Sequence, residues 1–246
     1  MKPDEVARGV YRISLRGVSV FLVEANDKLV LIDAGLKNSP RHITEAIYSM
    51  GRLPQDVVAI VVTHAHRDHT GGLAEMKRRT GAEVWMHESD ATLVEGALPH
   101  RPFGPGQNRA TDILRRVMNA APEGRPEPVS VAHQVGDGDE LPFDGLRAFH
   151  TPGHSAGHLA LLLPRDGGVL FVGDAVSNTF RTGLSPLNED LESSRRSLAR
   201  LAALEFDVAC FAHGRPLRHG ASAAFRELIA RLDAAANAAS SAGPQA

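Results

Sequence analysis

Three imidazoles and a carboxylate fall within six positions of the segment Thr63-His64-Ala65-His66-Arg67-Asp68-His69-Thr70-Gly71-Gly72. The segment follows directly on the apolar run Val57-Val58-Ala59-Ile60-Val61-Val62. Four groups that compete for the same polar space at a strand end are costly as structure alone. Divalent cations bind all of them, imidazole and carboxylate being ordinary zinc ligands. Three more candidate ligands stand at the ends of later apolar runs: His154 in Thr151-Pro152-Gly153-His154-Ser155, Asp174 in Phe171-Val172-Gly173-Asp174, and His213 in Phe211-Ala212-His213-Gly214. Each is a weak signal singly. In this order, with strand ends converging on one edge and a glycine beside each to let the backbone turn closely, they read as one metal-binding constellation.

The other histidines carry less. His87, His133, His150 and His158 lie on or beside expected strands, where hydrogen-bonded packing or exposure is favoured over metal binding, and His42 and His219 read as surface residues. His100, with Arg101 and Phe103, falls in a Pro-rich stretch, where a plain loop role is favoured over lining a cleft. Cys210 sits in Val208-Ala209-Cys210-Phe211-Ala212 and reads as a small core residue rather than a nucleophile.

The elements that must position these groups follow from hydrophobic periodicity. Ser19 to Val23 and Lys28 to Ile32, separated by Asn26-Asp27, predict a β-hairpin. Ile43, Ile47 and Met50 predict a helix, with Ser39 as N-cap, Pro40 at its first position and Gly51 beyond its end. The run at 57–62 is largely β-branched and suits a strand buried on both faces. Beyond the His-rich motif a helix is expected to about Thr80, stopped by Gly81, then a strand from Glu83 to His87 and a helix from Ser89 to about Ala97. Residues 99–128 hold six of the 15 prolines and a helical pattern at Ile113, Leu114, Val117 and Met118, and so resemble an inserted flap. Strands are then expected at about Arg147 to His150, His158 to Leu163 and Val169 to Val172. Two helices follow, marked by Leu191, Leu198, Leu201 and Leu204 and by Phe225, Leu228, Ile229 and Leu232, with the Cys210 strand between them.

Strands and helices in each half predict two sheets packed face to face with helices outside, an α/β fold of αββα sandwich type. The expected organisation is a single domain over about 1–240. Its halves fall at about 1–98 and 129–236, the Pro-rich insertion at 99–128, and a disordered Ala/Ser-rich tail at 237–246.

The 246 residues are ample for a sizeable core. Lys+Arg 27 against Asp+Glu 29 leaves a net charge of −2, and the longest basic cluster, Lys77-Arg78-Arg79, reads as a solvated helix end, so nucleic acid is not an expected partner. No segment approaches the roughly 18 apolar residues needed to span a membrane, and the polar start has no apolar h-region. With a single cysteine, a cytoplasmic location is expected.

The chain resembles the metallo-β-lactamase superfamily, whose pattern is His-x-His-x-Asp-His followed by a His, an Asp and a final His. Every position is filled here, and the match runs from Phe21-Leu22-Val23 through Leu31-Ile32-Asp33-Ala34-Gly35 to the last helix. The resemblance implies that His64, His66 and His154 hold one metal, that Asp68, His69 and His213 hold the second, and that Asp174 bridges both with a water or hydroxide. The ions implied are two Zn2+, with Fe or Mn as alternatives. Asp68 would both ligate a metal and orient the hydroxide. Asp33 is similar to the family's aspartate that orients a ligand or loop; a turn cap before Gly35 is an equal reading.

The activity implied is hydrolysis of a small ester, thioester or lactone, a small-molecule substrate. Departures from related patterns bear on the choice. True lactamases of this fold replace the bridging Asp174 or change the second ligand set, and acyl-homoserine lactonases commonly carry Tyr where this chain has Ser177. Glyoxalase-II-type thioesterases share all seven ligands but add a long helical C-terminal domain, whereas only a short region follows His213. A tRNA-processing nuclease would carry a protruding basic arm, for which 99–128 is too short and too weakly charged. The alternative from another reaction class is a non-haem iron persulfide dioxygenase, which needs only His64, His154 and Asp174.

Overall fold

The computed structural model describes residues 2–96, 98–120 and 127–241. The hairpin that the sequence signals is the centre of a larger sheet. Among the described residues, β1 (Asp4–Ala7), β2 (Val10–Ser14), β3 (Ser19–Ala25) and β4 (Lys28–Ile32) run antiparallel. β5 (Val57–Val61), β6 (Glu83–Met86) and β7 (His133–Gln134) then add in parallel, in the order β1-β2-β3-β4-β5-β6-β7. Asn26 and Asp27 turn between β3 and β4 with φ of 50° and 60°, the left-handed pair that a tight two-residue hairpin requires. β1, β2 and β7 are not anticipated by the sequence reading: β7 is two residues long, β1 is short and largely exposed, and β2 buries only Val10 and Ile13 of its five residues.

The second half supplies β8 (Arg147–His150), β9 (Leu159–Leu163) and β10 (Val169–Phe171), the small hairpin β11 (Val176–Ser177) and β12 (Gly183–Leu184), and β13 (Val208–Cys210). These form a second sheet in the order β13-β10-β9-β8, with β11 and β12 paired separately. The inner faces of the two sheets meet: Phe21, Val30, Ile32 and Val61 pack on Leu159, Leu161, Phe171 and Cys210, and the rings of Phe21 and Phe171 stand edge to face at 5.5 Å. Cys210 is fully buried within this layer, and burial pushes its thiol pKa up, so it stays protonated.

Helices cover the outer faces. Ile43 and Ile47 of α1 (Ser39–Ser49) pack with Leu73 and Met76 of α3 (Leu73–Thr80), which follows the single turn α2 (Arg67–Thr70), and with Ala91 and Val94 of α4 (Glu88–Glu95) on the first sheet. Leu198 and Leu201 of α6 (Leu191–Ala202) and Phe225 and Leu228 of α7 (Ala221–Ser241) cover the second sheet. Each such side chain, fully buried, contributes about 1.5–3 kcal/mol. The layers are those of the expected αββα sandwich.

Helix ends differ from the sequence reading in detail. α1 begins at Ser39, with Asn38 in the cap position and no side-chain cap bond. α4 is capped by His87, whose ring accepts from the Ser89 amide; Ala97, where the sequence ends this helix, lies outside the described residues. The tail expected to be disordered from 237 instead continues α7 to Ser241, because Ala234-Ala235-Ala236 and Ala238-Ala239 are strong helix formers that prolong a helix already nucleated by its packed first turns. Residues 242–246 and residues 121–126 of the insertion lie outside the described residues. The insertion carries α5 (Arg109–Ala120), around the expected Ile113, Leu114, Val117 and Met118, yet none of its residues is buried. Among the described residues no helix is long and apolar enough to cross a membrane.

Candidate metal centre

All seven sequence-predicted ligands converge at one edge of the sandwich. β5 delivers Thr63 and His64 at its C-terminal end, and α2 presents Asp68 and His69 one turn later. The loop between β8 and β9 brings His154, the turn after β10 brings Asp174, and the turn after β13 brings His213. Three groups result, each with its donor atoms within 4.8 Å of one another: His64, His66 and His154; His64, His69 and Asp174; and Asp68, His69 and His213.

Asp174 lies between the outer two groups. Its Oδ2 is 3.4 Å from His154 Nε2 and 3.2 Å from His213 Nε2, while Oδ1 is 3.5 Å from His69 Nε2. His213 Nε2 also stands 3.1 Å from Asp68 Oδ2, so this histidine points toward the His69 side of the site. His66 Nδ1 and His154 Nε2 approach to 2.8 Å.

The far side of four of the five rings, all but His66, is fixed by a hydrogen bond. His69 Nδ1 donates to Asp33 Oδ2 at 2.8 Å, His154 Nδ1 to the Leu187 carbonyl at 2.8 Å, and His213 Nδ1 to the Gly17 carbonyl at 2.8 Å. His64 Nδ1 lies 3.0 Å from Thr63 Oγ1, whose hydroxyl donates to Asp33. Asp33 is buried and accepts from the Thr63 amide, the Thr63 hydroxyl and His69. It does so from a left-handed backbone, φ 62°, a conformation that the surrounding bonds must hold against strain.

His158 takes the packing role that the sequence favours, but in a specific place. Its Nε2 accepts from the Asp174 amide at 2.9 Å, which puts the proton on Nδ1, facing Thr151 Oγ1 at 2.8 Å. Gly173, φ 54°, permits this approach, since a Cβ there would lie 2.5 Å from His158 Nε2. His133 stacks on Trp85 and His87 stacks on His150, both away from the ligands. His100, favoured as a plain loop residue, lines the cleft and stands 4.8 Å from the His66 ring and 4.9 Å from Phe103.

Electrostatics divide the site. Burial, together with the neighbouring imidazoles, pushes His64, His66 and His158 well below the ordinary histidine pKa, and burial also lowers His154; these rings are neutral, with lone pairs available. Burial opposes charge on His213 too, but Asp174 and hydrogen bonds to Asp174 and Asp68 outweigh it and raise its pKa to about 10. For Asp68, burial is outweighed by His69 and His213, which hold the carboxyl well below its usual range.

The donor set fits metal ions. His64 Nε2, His66 Nε2, His69 Nε2 and Asp174 Oδ1 are buried without a hydrogen-bond partner. Leaving such atoms unsatisfied costs about 1–3 kcal/mol each, a penalty that divalent cations held among them would remove.

Above the seven residues opens a cleft of about 1060 Å3. His100, Phe103 and Met118 of the insertion form one wall; Arg181 of the β11–β12 loop and Leu228 and Arg231 of α7 form the other. Phe180, also in that loop, is fully exposed at the mouth.

Asp90 and Thr63 are the residues that sequence reasoning missed. Asp90 is fully buried and bonded to both ligand-bearing loops, but an acidic residue in the first turn of a helix is an everyday capping signal. Thr63 adjoins the motif, and its position before His64 was the available clue.

The model of the metallo-beta-lactamase superfamily matches residues 13–213. The chain belongs to that superfamily. Its relatives further place it among the metal-dependent hydrolases: it is 27% identical to a probable metallo-hydrolase of Bacillus subtilis, YflN, over 87% of this chain and 86% of that one. It is also 32% identical to a hydroxyacylglutathione hydrolase of Chromohalobacter salexigens over 77% of this chain, but spans only 58% of that protein's length. Among solved structures, a metallo-beta-lactamase of Cronobacter sakazakii, a motif mutant, superposes with a TM-score of 0.71 at 25% identity, covering 99% of this chain and 100% of that one.

Proposed function

We propose that the protein is a dinuclear metal hydrolase that cleaves a small ester, thioester or lactone. The observation that carries this reading is the position of Asp174 between two separate donor groups, with oxygens 3.4 Å from His154, 3.2 Å from His213 and 3.5 Å from His69. His64, His66 and His154 would hold one ion, Asp68, His69 and His213 the other, and Asp174 both; the all-nitrogen and carboxylate set suits zinc. Bound divalent ions supply a water acidified from a pKa near 16 to about 7 and a Lewis acid for the scissile carbonyl.

The chain's own groups do the rest. Asp68, kept ionised by His69 and His213, faces the cleft and would orient the attacking water by accepting a hydrogen bond from it at the carboxylate. His158 and Asp33 hold Asp174 and His69 in register. Phe103, Met118 and Leu184 provide apolar walls for the substituents of a small acyl compound. A protein nucleophile is not needed; the Ser155 hydroxyl beside His154 donates to Asp90, and the Cys210 thiol is buried in the core.

The hydroxyacylglutathione hydrolases among the relatives support thioester cleavage as a chemistry for this ligand set. Metal analysis with activity assay tests the reading. About two equivalents of zinc per chain and chelator-sensitive cleavage of aryl esters or thioesters are expected. A single iron with oxygen uptake on a persulfide would replace it with a dioxygenase.

A further inference from the structure

We propose that Asp90 is a positioning residue that sets the three-histidine group, by fixing the separation of the two loops that carry His64 and His66 on one side and His154 on the other. This rests on the reading that those histidines hold a metal.

Asp90 stands in the first turn of α4 and is 0% exposed. Oδ2 accepts from the Ala65 amide at 3.0 Å and from the Ser155 hydroxyl at 2.7 Å. Oδ1 accepts from the Gly157 amide at 2.8 Å and from Arg101 Nη1 at 3.4 Å. Ala65 lies between two of the three histidines, and Ser155 is next to the third. The loops belong to different sheets, the first following β5 and the second joining β8 to β9; among the described residues a single backbone bond, Leu159 N–H to the Thr63 carbonyl at 2.9 Å, joins their bases, and beyond it toward the histidines the span is made by Asp90. One planar carboxylate, anchored on a helix, spans them. Its two oxygens are a fixed distance apart, and so are the backbones bonded to them.

Gly157 shows how close the fit is. A Cβ at that position would stand 2.7 Å from both Asp90 Cγ and Oδ1, so only glycine admits the contact. Burying a carboxylate is costly unless every lone pair is used, and here four donors converge on it, one of them the Arg101 guanidinium. The other donor group is held independently: His69 by Asp33, and His213 by the Gly17 carbonyl. Asp90 touches neither.

Asp90→Asn is close to isosteric but turns one acceptor into a donor that must face an N–H or O–H. Stepwise Co2+ titration of the metal-free full chain, read in the visible absorption, separates the two groups when His213→Ala and His154→Ala supply the reference spectra of each group alone. Affinity for the three-histidine step should fall about 10–100-fold in Asp90→Asn, while the other step changes by less than about threefold. Equal loss at both steps, or none at either, overturns the proposal. Urea unfolding of the metal-free protein checks that the variant folds. If it does not, Ser155→Ala, which deletes one of the four donors, must show the same selective loss in smaller measure, and an unselective change there is equally fatal. Should the wild-type chain bind no Co2+, the metal reading itself has failed; wild-type binding at both steps with Asp90→Asn unchanged overturns only the role of Asp90.

Discussion

His69 and Asp33 are joined by a 2.8 Å contact from Nδ1 to Oδ2, and this buried bond decides which nitrogen of the ring faces the metal centre. The same carboxylate receives the amide and hydroxyl of Thr63, so one side chain sets both the end of β5 and the tautomer of His69. Asp33→Asn keeps the shape but replaces one acceptor oxygen with a donor that must face donors. We expect a loss of about 1–3 kcal/mol in the urea stability of the metal-free chain and about 10–100-fold weaker binding in zinc competition assays. Unchanged affinity would leave Asp33 as a turn cap alone.

Asp174→Ala removes the one carboxylate shared by the two donor groups. Zinc content after dialysis against a mild chelator should fall at both positions, not at one, and ester or thioester cleavage should fall by at least about 100-fold. Retention of both ions in the variant would refute the bridge.

Glu189 gives the stability a pH dependence of defined sign. Burial, reinforced by the Asp90 charge and only partly relieved by Arg101, raises its pKa to about 7 from an ordinary 4.5. Between those values the folded chain keeps a proton that the unfolded chain releases, so this contribution to stability declines as pH rises from about 4.5 to about 7 and is flat above. Glu189→Gln should remove that slope and raise Tm at pH 8 by about 2–4 °C. Thermal melts from pH 5 to pH 8 measure it, and an unaltered slope would assign the dependence to other groups.

The sequence made the clustering of the seven His and Asp side chains legible because metal binding needs particular residue types at strand ends, and strand ends are readable from apolar runs such as 57–62. It made the layers legible for the same reason, each buried face leaving its period. What it did not disclose depends on three-dimensional meeting. β7 is two residues long and exists because His133 stacks on Trp85 and its backbone pairs with β6. His158 looks like any strand histidine until the Asp174 amide arrives at its Nε2. The continuation of α7 to Ser241 was obscured because an Ala-rich run without apolar periodicity reads equally as coil. Asp90 was hidden by its ordinary place at a helix start.

The insertion is held to the sandwich unevenly. Its base is tied to the ligand loops through Arg101, whose guanidinium bonds Asp90 and the Ser89 carbonyl, whereas α5 buries none of its residues. Apart from Asn119, whose side chain bonds the Phe103 amide and carbonyl, mutation along α5 should carry little folding penalty and can still reach the wall formed by Met118. Substrate preference can then be varied in the laboratory on the exposed face of α5, provided that Arg101 and Asn119, which tie the insertion to the floor of the site, are kept.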